Sequence, residues 1–265
     1  MRIFNKNLFA LEFRRAFKGM LVWSISLGLT MYLIVILYPY VKDMYAAIPP
    51  ELSGILDSFG GLPENVTEYF ATECAMMLQI FGSIYVVLEG FNAINRDEKE
   101  KTLEAIYVLP YRRDVILFTK FVRITLNILL FSIANILFSL AGFWTVGEFA
   151  ENGRFFLFAL LNTLMFLMIG YLGLAMVCLM KPNQKNMISM LIPIPLYIVS
   201  VISTLTNNEW LQKLKYITPF TFANPVEILK TDFAFEWENL VGFTLVTICL
   251  LVAAFLRFRK REFIV

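Results

Sequence analysis

The stretch TECAMMLQIFGSIYVVLEGFNAI, Thr72–Ile94, carries two acids, Glu73 and Glu89, and no base. NRDEKEKTLEAIYVLPYRRD, Asn95–Asp114, follows it directly, and half of its residues are charged. A helix rises about 1.5 Å per residue, so the first stretch is about 35 Å long. That length crosses the roughly 30 Å hydrocarbon core of a bilayer. The charged stretch cannot enter that core. The boundary near Ile94 therefore reads as a membrane surface.

The same alternation recurs along the chain. Apolar runs over 20–39, 72–94, 124–144, 154–180, 187–205 and 239–256 are each long enough to span. The sequence is 58% hydrophobic and 17% charged, against about 45–50% and about 25% in ordinary globular domains. The fold class expected is an all-α integral membrane protein, one domain over 1–265 with six transmembrane helices. The first apolar run starts only near Met20 and is too long for the apolar region of a cleavable signal peptide, and no A-x-A-like site follows it.

Lysine and arginine concentrate on the cytoplasmic side of membrane proteins. With both termini inside, 18 of the 23 basic residues fall in inside segments and five in outside segments. The opposite orientation reverses that ratio.

Three connections are more than loops. Residues 1–19 interleave Phe9, Phe13 and Phe17 with Arg14 and Arg15, which predicts an amphipathic interfacial helix before the first span. Residues 40–71 form a long acidic outside loop with an N-x-T sequon at Asn65. Residues 206–238 mix Pro219, Phe220 and Pro225 with other apolar residues. They are too apolar for a solvated loop and too broken to span, which predicts a re-entrant segment covered by protein. Pro193 and Pro195 are expected to kink or locally unwind the fifth span.

Several chemistries find no residues to run on. The chain has no histidine, which removes His-based triads and imidazole metal sites. Cys74, Cys178 and Cys249 share no metal-ligand spacing and read as buried thiols. There is no G-x-x-x-x-G-K-[ST], so the chain has no P-loop of its own. It is not expected to be an enzyme by itself, and neither a metal nor a cofactor is expected in it. Polar residues within the spans invite a functional reading. Glu89 is the foremost, followed by Asn127, Asn135 and Asn162. Glu89 lies close enough to the membrane surface to pair with a base there, and the asparagines suit hydrogen bonds between helices.

Within 95–114, Asn95 and Glu98 have capping-box spacing, so a new helix is expected to begin near Arg96. Asp97 and Lys101 at i, i+4 support it. Leu103, Ile106 and Tyr107 give it an apolar face, and Pro110 stops it. From these residues alone, a docking surface and a merely solvated helix fit equally well.

The stretch RDEKEKTLEAIYVLPYRRDVILFTK, Arg96–Lys120, resembles the signature of ABC-2 type permeases in Glu98, Glu100, Thr102, Leu103, Glu104, Pro110, Arg112, Arg113 and Lys120. Lys101 departs from the glycine that family often has there. LQKLKYITPFTFANPVEIL (211–229) and FRKREF, Phe258–Phe263, resemble the segment before that family's last helix and its C-terminal finish.

The resemblance implies the transmembrane permease subunit of an ABC exporter that moves a drug, a peptide antibiotic or a lipid-like molecule. Two permease subunits, alike or different, would sit in membrane lipid above two separate ATPase subunits. Those ATPases would bind the ATP and Mg, and nucleic acid would have no part. The docking surface implied is the interfacial helix together with a coupling helix in 95–114 bearing Arg96, Glu98, Glu100, Thr102, Leu103, Glu104, Pro110, Arg112 and Arg113. The setting implied is a bacterial or archaeal plasma membrane. Two other readings stay open: an ion-coupled carrier turning on Glu89, and a non-transporting scaffold or sensor.

Overall fold

Lys6 begins a helix that does not end until Ala46. In this computed structural model, residues 4–46, 63, 65–100, 112–148, 152–206, 208–229, 235 and 237–260 are described. That first helix, α1 (Lys6–Ala46), is 41 residues long, so it extends about 62 Å, twice the thickness of a hydrocarbon core. The break expected between an interfacial helix over 1–19 and a span over 20–39 is absent. Gly19 is the one glycine near that junction, and a lone exposed glycine costs a helix only about 1 kcal/mol. Packing offsets it, because Leu8, Glu12 and Met20 on one face are buried. Phe9, Phe13 and Phe17 sit half-buried beside that face as a ladder of rings, with centroids 5.9 and 5.3 Å apart.

The second span starts with a helical turn, Val66–Tyr69, capped by Asn65, whose side chain accepts from the Glu68 N–H at 2.9 Å. A π-helical turn, Phe70–Ala75, leads into α2 (Met76–Lys99). The expected helix start near Arg96 is not observed. Asn95 is buried in the last turns of α2 and does not start a new helix; its amide donates to Gln184 O at 2.9 Å and to Asn186 Oδ1 at 2.7 Å. Local capping chemistry lost here to partners from a distant loop.

Helix α3 (Arg113–Val146) ends at Gly147, whose φ of 79° lets its N–H turn back to Phe143 O and Trp144 O. Helix α4 (Asn152–Leu179) follows. The fifth span divides as its prolines require: a 3-10 segment, Asn186–Leu191, then α5 (Pro193–Leu205) with Pro193 in its first turn. Two short helices, α6 (Glu209–Gln212) and α7 (Pro225–Leu229), precede the last span, α8 (Trp237–Arg259). Six helical segments are long and apolar enough to cross a membrane, and no strand occurs among the described residues. The chain is a multi-pass, all-helical membrane protein.

Helix α1 packs along α3, α2 along α4, and α8 against α4. The α2–α4 crossing is made backbone to backbone. A Cβ placed on Gly90 would run into the Gly170 carbonyl, and one on Gly173 into the Val87 carbonyl. Only glycine permits that approach, a common device where lipid removes the hydrophobic drive for helix association. The segment between α5 and α8 is folded inward. Pro219, Phe220, Phe222 and Ala223 are buried. Phe220 meets the Tyr197 ring edge-on at 5.2 Å, and Gln79 donates to Ala223 O at 2.6 Å. Non-helical backbone at this depth is thereby covered by protein.

Candidate functional site

The start of α1, the end of α8, the end of α2, the start of α3 and the turn before α5 gather at one pole. Ion pairs among α1, α2 and α3 knit this pole together. The centre is Lys120 on α3, which is 1% exposed. Its ammonium donates to Glu12 Oε1 at 2.7 Å, Asp97 Oδ2 at 2.5 Å and Ala93 O at 2.6 Å. All three of its protons are thus engaged by three acceptors. One turn further, Arg123 pairs with Glu89 and lies 3.9 Å from Glu12 Oε2. Asn127 donates to the same Glu89 oxygen at 2.7 Å. Toward solvent, Arg15 reaches Asp97 Oδ1 at 3.0 Å and pairs with Glu100, which also accepts from Arg96 Nε at 2.8 Å.

The spacing explains the assembly. Glu89, Ala93 and Asp97 recur every four residues on α2, while Lys120, Arg123 and Asn127 recur at helical spacing on α3. Two stripes of complementary chemistry face one another, and Glu12 and Arg15 of α1 close the third side. Buried charge is costly unless paired and hydrogen-bonded. Here Glu12, Glu89, Asp97 and Glu100 meet Arg15, Arg96, Lys120 and Arg123, so the named set balances. A cavity of about 460 Å³ opens beside it, lined by Glu12, Arg15, Glu89, Asn92, Arg96 and Arg123 among others. At the solvated rim, the Glu100 carboxyl is held below its ordinary range, chiefly by the hydrogen bond from Arg96, with the charges of Arg96 and Arg15 adding to it against an opposing desolvation.

A second set ties α2 to the turn before α5. Glu98 Oε2 accepts from Asn183 N–H at 3.1 Å, where Asn183 has a left-handed φ of 60°. Lys99 donates to Asn186 Oδ1 at 2.7 Å. A third set joins α3 to α8: Arg259 reaches Asp114 Oδ1 at 2.5 Å, Arg112 lies 3.6 Å from Asp114 Oδ2, and Arg113 donates to Arg259 O at 3.0 Å.

The residues singled out from sequence divide accordingly. Arg96, Glu98, Glu100, Arg112 and Arg113 all stand at this pole. Glu98, expected on the docking surface, and its neighbour Asp97 are buried at 7% and 2% exposure, because the 183–186 turn and α3 supply their partners. Thr102, Leu103, Glu104 and Pro110 lie outside the described residues. Arg14 is exposed, whereas Arg15 points into the cluster. Glu89 and Asn127 belong to the cluster. Asn135 and Asn162 lie deeper, apart from it, and Pro219, Phe220 and Pro225 are buried in the fold beyond α5. Sequence reading left out Glu12 and gave Lys120 and Arg123 no partners. Glu12 is the only acid among the first 42 residues, a signal that was available.

Among the described residues, no group of three or more metal-ligating side chains occurs. No curated protein matches the chain. One family model, described as ABC-2 family transporter protein, matches residues 6–263.

Proposed function

The chain belongs to the ABC-2 transporter family, and from that premise we propose that it is the permease of an ATP-driven exporter whose charged pole receives the ATPase stroke. As an ABC-type permease it is a transmembrane subunit that works with an ABC ATPase and has no ATPase site of its own. In the proposed complex two permease subunits pair in the membrane and two ATPase subunits sit beneath them, holding the ATP and Mg. The pole is cytoplasmic, since most of the basic residues lie there and inside loops favour lysine and arginine. The substrate is amphipathic or hydrophobic: a drug, a peptide antibiotic or a lipid-like molecule.

The observation that carries this reading is the charge cluster centred on Lys120. It joins α1, α2 and α3 where α2 ends and α3 begins, on either side of the 101–111 connection that contains Thr102, Leu103, Glu104 and Pro110. A push delivered there moves three spans together, because long charged side chains hold them at many points. Glu89 supports an ion-coupled carrier less well, since Arg123 and Asn127 already hold it.

Co-purification with the cognate ATPase tests the proposal. Glu104→Ala and Arg112→Ala are expected to weaken ATPase retention or transport while the chain still folds. Retention and transport both unchanged in the pair of variants contradict a docking role for 95–114. Glu89→Gln that abolishes transport, together with transport that survives ATP depletion at a held ion gradient, favours the carrier instead.

A further inference from the structure

Midway along the bundle, far from the charged pole, a small, partly enclosed cavity of about 20 Å³ lies between α3 and α4, with Phe70 and Leu78 of the second span also lining it. Its polar wall is Ser132, Asn135 and Ser139 from α3 and Asn162 and Thr163 from α4, and the remainder is mainly aromatic and aliphatic carbon. Ser132, Asn135, Ser139 and Asn162 are each at least nine-tenths buried. Three of the polar atoms have no hydrogen-bond partner among the described residues: Ser132 Oγ, Asn135 Oδ1 and Asn162 Oδ1. A buried unpaired polar atom is costly, so native structures rarely leave three together.

The atom types fix what is missing. Asn135 spends its amide N–H on Phe131 O at 2.8 Å, so its carbonyl oxygen is the end left over. Ser139 and Thr163 spend their hydroxyl protons on Asn135 O at 2.9 Å and Ala159 O at 2.7 Å. The Ser132 proton has no such acceptor. The cavity therefore presents two carbonyl acceptors and one hydroxyl donor. A water molecule donates two hydrogen bonds and accepts one or two. About 10–15 Å³ of this kind of volume admits one water, and buried waters typically make about three hydrogen bonds.

We propose that this cavity is a binding site for a single internal water, which donates to Asn135 Oδ1 and Asn162 Oδ1 and accepts from Ser132 Oγ. The water makes the mid-membrane contact between α3 and α4 a three-point polar joint. It gives Asn135 and Asn162 a shared ligand in place of a direct bond.

A crystal structure of the full chain, at a resolution that shows ordered water, is expected to place one density peak within hydrogen-bonding distance of all three atoms. In detergent, Asn135→Leu and Asn162→Leu are each expected to lower the Tm by a few degrees. The double variant falls by less than the sum, since the first change already strips the water of a partner. Ser132→Ala removes only the donor and keeps the test open if the leucine variants fail to fold; it is expected to lower the Tm by less than either. Exchange of sodium for choline leaves the Tm unchanged. An empty cavity, additive leucine variants with a silent Ser132→Ala, or a Tm that follows sodium each overturns the assignment, the last in favour of a cation held by five oxygens. None of these readouts depends on an ATPase partner.

Discussion

Two helix contacts in this molecule are built from opposite materials. The α2–α4 crossing rests on Gly90, Gly170 and Gly173, with backbone against backbone and no side chain between. The contact among α1, α2 and α3 at the charged pole rests on some of the longest side chains available, Lys120, Arg123, Arg15, Glu12 and Glu89. A glycine crossing has one geometry, and a small displacement breaks it. A charge cluster has many, since each flexible side chain can follow its partner over a few ångströms. The first material suits a fixed pivot, and the second suits a surface that takes up motion and passes it on.

The comparison breaks most sharply at Lys120. Lys120→Met takes the central cation from between the buried Glu12 and Asp97, leaving them only Arg123 at 3.9 Å and Arg15 at 3.0 Å, and up to about 3–5 kcal/mol of stability is expected to go. Thermal unfolding in lipid nanodiscs measures it. Adding Glu12→Gln and Asp97→Asn to the same chain is expected to recover part of the loss, because the penalty comes from the stranded charges. No recovery would mean that packing, rather than charge, holds the pole.

Gly90→Ala is the next largest. The added methyl meets the Gly170 carbonyl, and overpacking of this kind costs about 1–3 kcal/mol. An unchanged Tm would show that the α2–α4 contact is looser than described. Gly19→Ala has the opposite sign. Nothing lies within 4 Å of a Cβ there, so the variant is expected to gain about 0.4–1 kcal/mol, provided α1 is continuous. A loss would indicate a bend at Gly19 and restore a separate interfacial helix.

The smallest effect belongs to the rim. Arg96 and Arg15 hold the Glu100 carboxyl below its ordinary value, so its pairing is fully present above about pH 4.3, the reference value for glutamate. It is lost as the pH falls through the lowered folded value. Glu100→Gln is expected to erase that acid-side dependence in a Tm–pH series and to change stability at pH 7 by less than about 1 kcal/mol, as for exposed pairs.

What was legible in the sequence follows the same division. Span number, the fifth-span interruption at Pro193 and the inward fold of Phe220 all follow from hydropathy and proline, which act locally. The continuity of α1 was not legible. It depends on Glu12 meeting Lys120, a contact 108 residues apart in the chain. Asn95 misled for the same reason, since its capping signal is local whereas its partners sit at Gln184 and Asn186. The charged block was legible as surface, but the burial of Asp97 and Glu98 within it was not. Asp97 is buried because a base one helix away waits for it; the stretch Arg96–Lys120 contains both residues, but no local pattern in it shows that they meet. The glycine crossing was present as Gly90, Gly170 and Gly173 but carried no sign of which helices would meet.

The most direct test is the rate of ATP hydrolysis by the cognate ATPase subunit, measured alone, with the wild-type chain, and with Arg15→Gln, all in nanodiscs. Arg15 lies at the rim of the cluster, so its loss should spare the fold. The expected result is that wild-type chain changes the hydrolysis rate several-fold, while the variant binds the ATPase equally and changes it much less. Equal effects from wild type and variant, or none from either, would contradict the claim that the charged pole couples this permease to ATP.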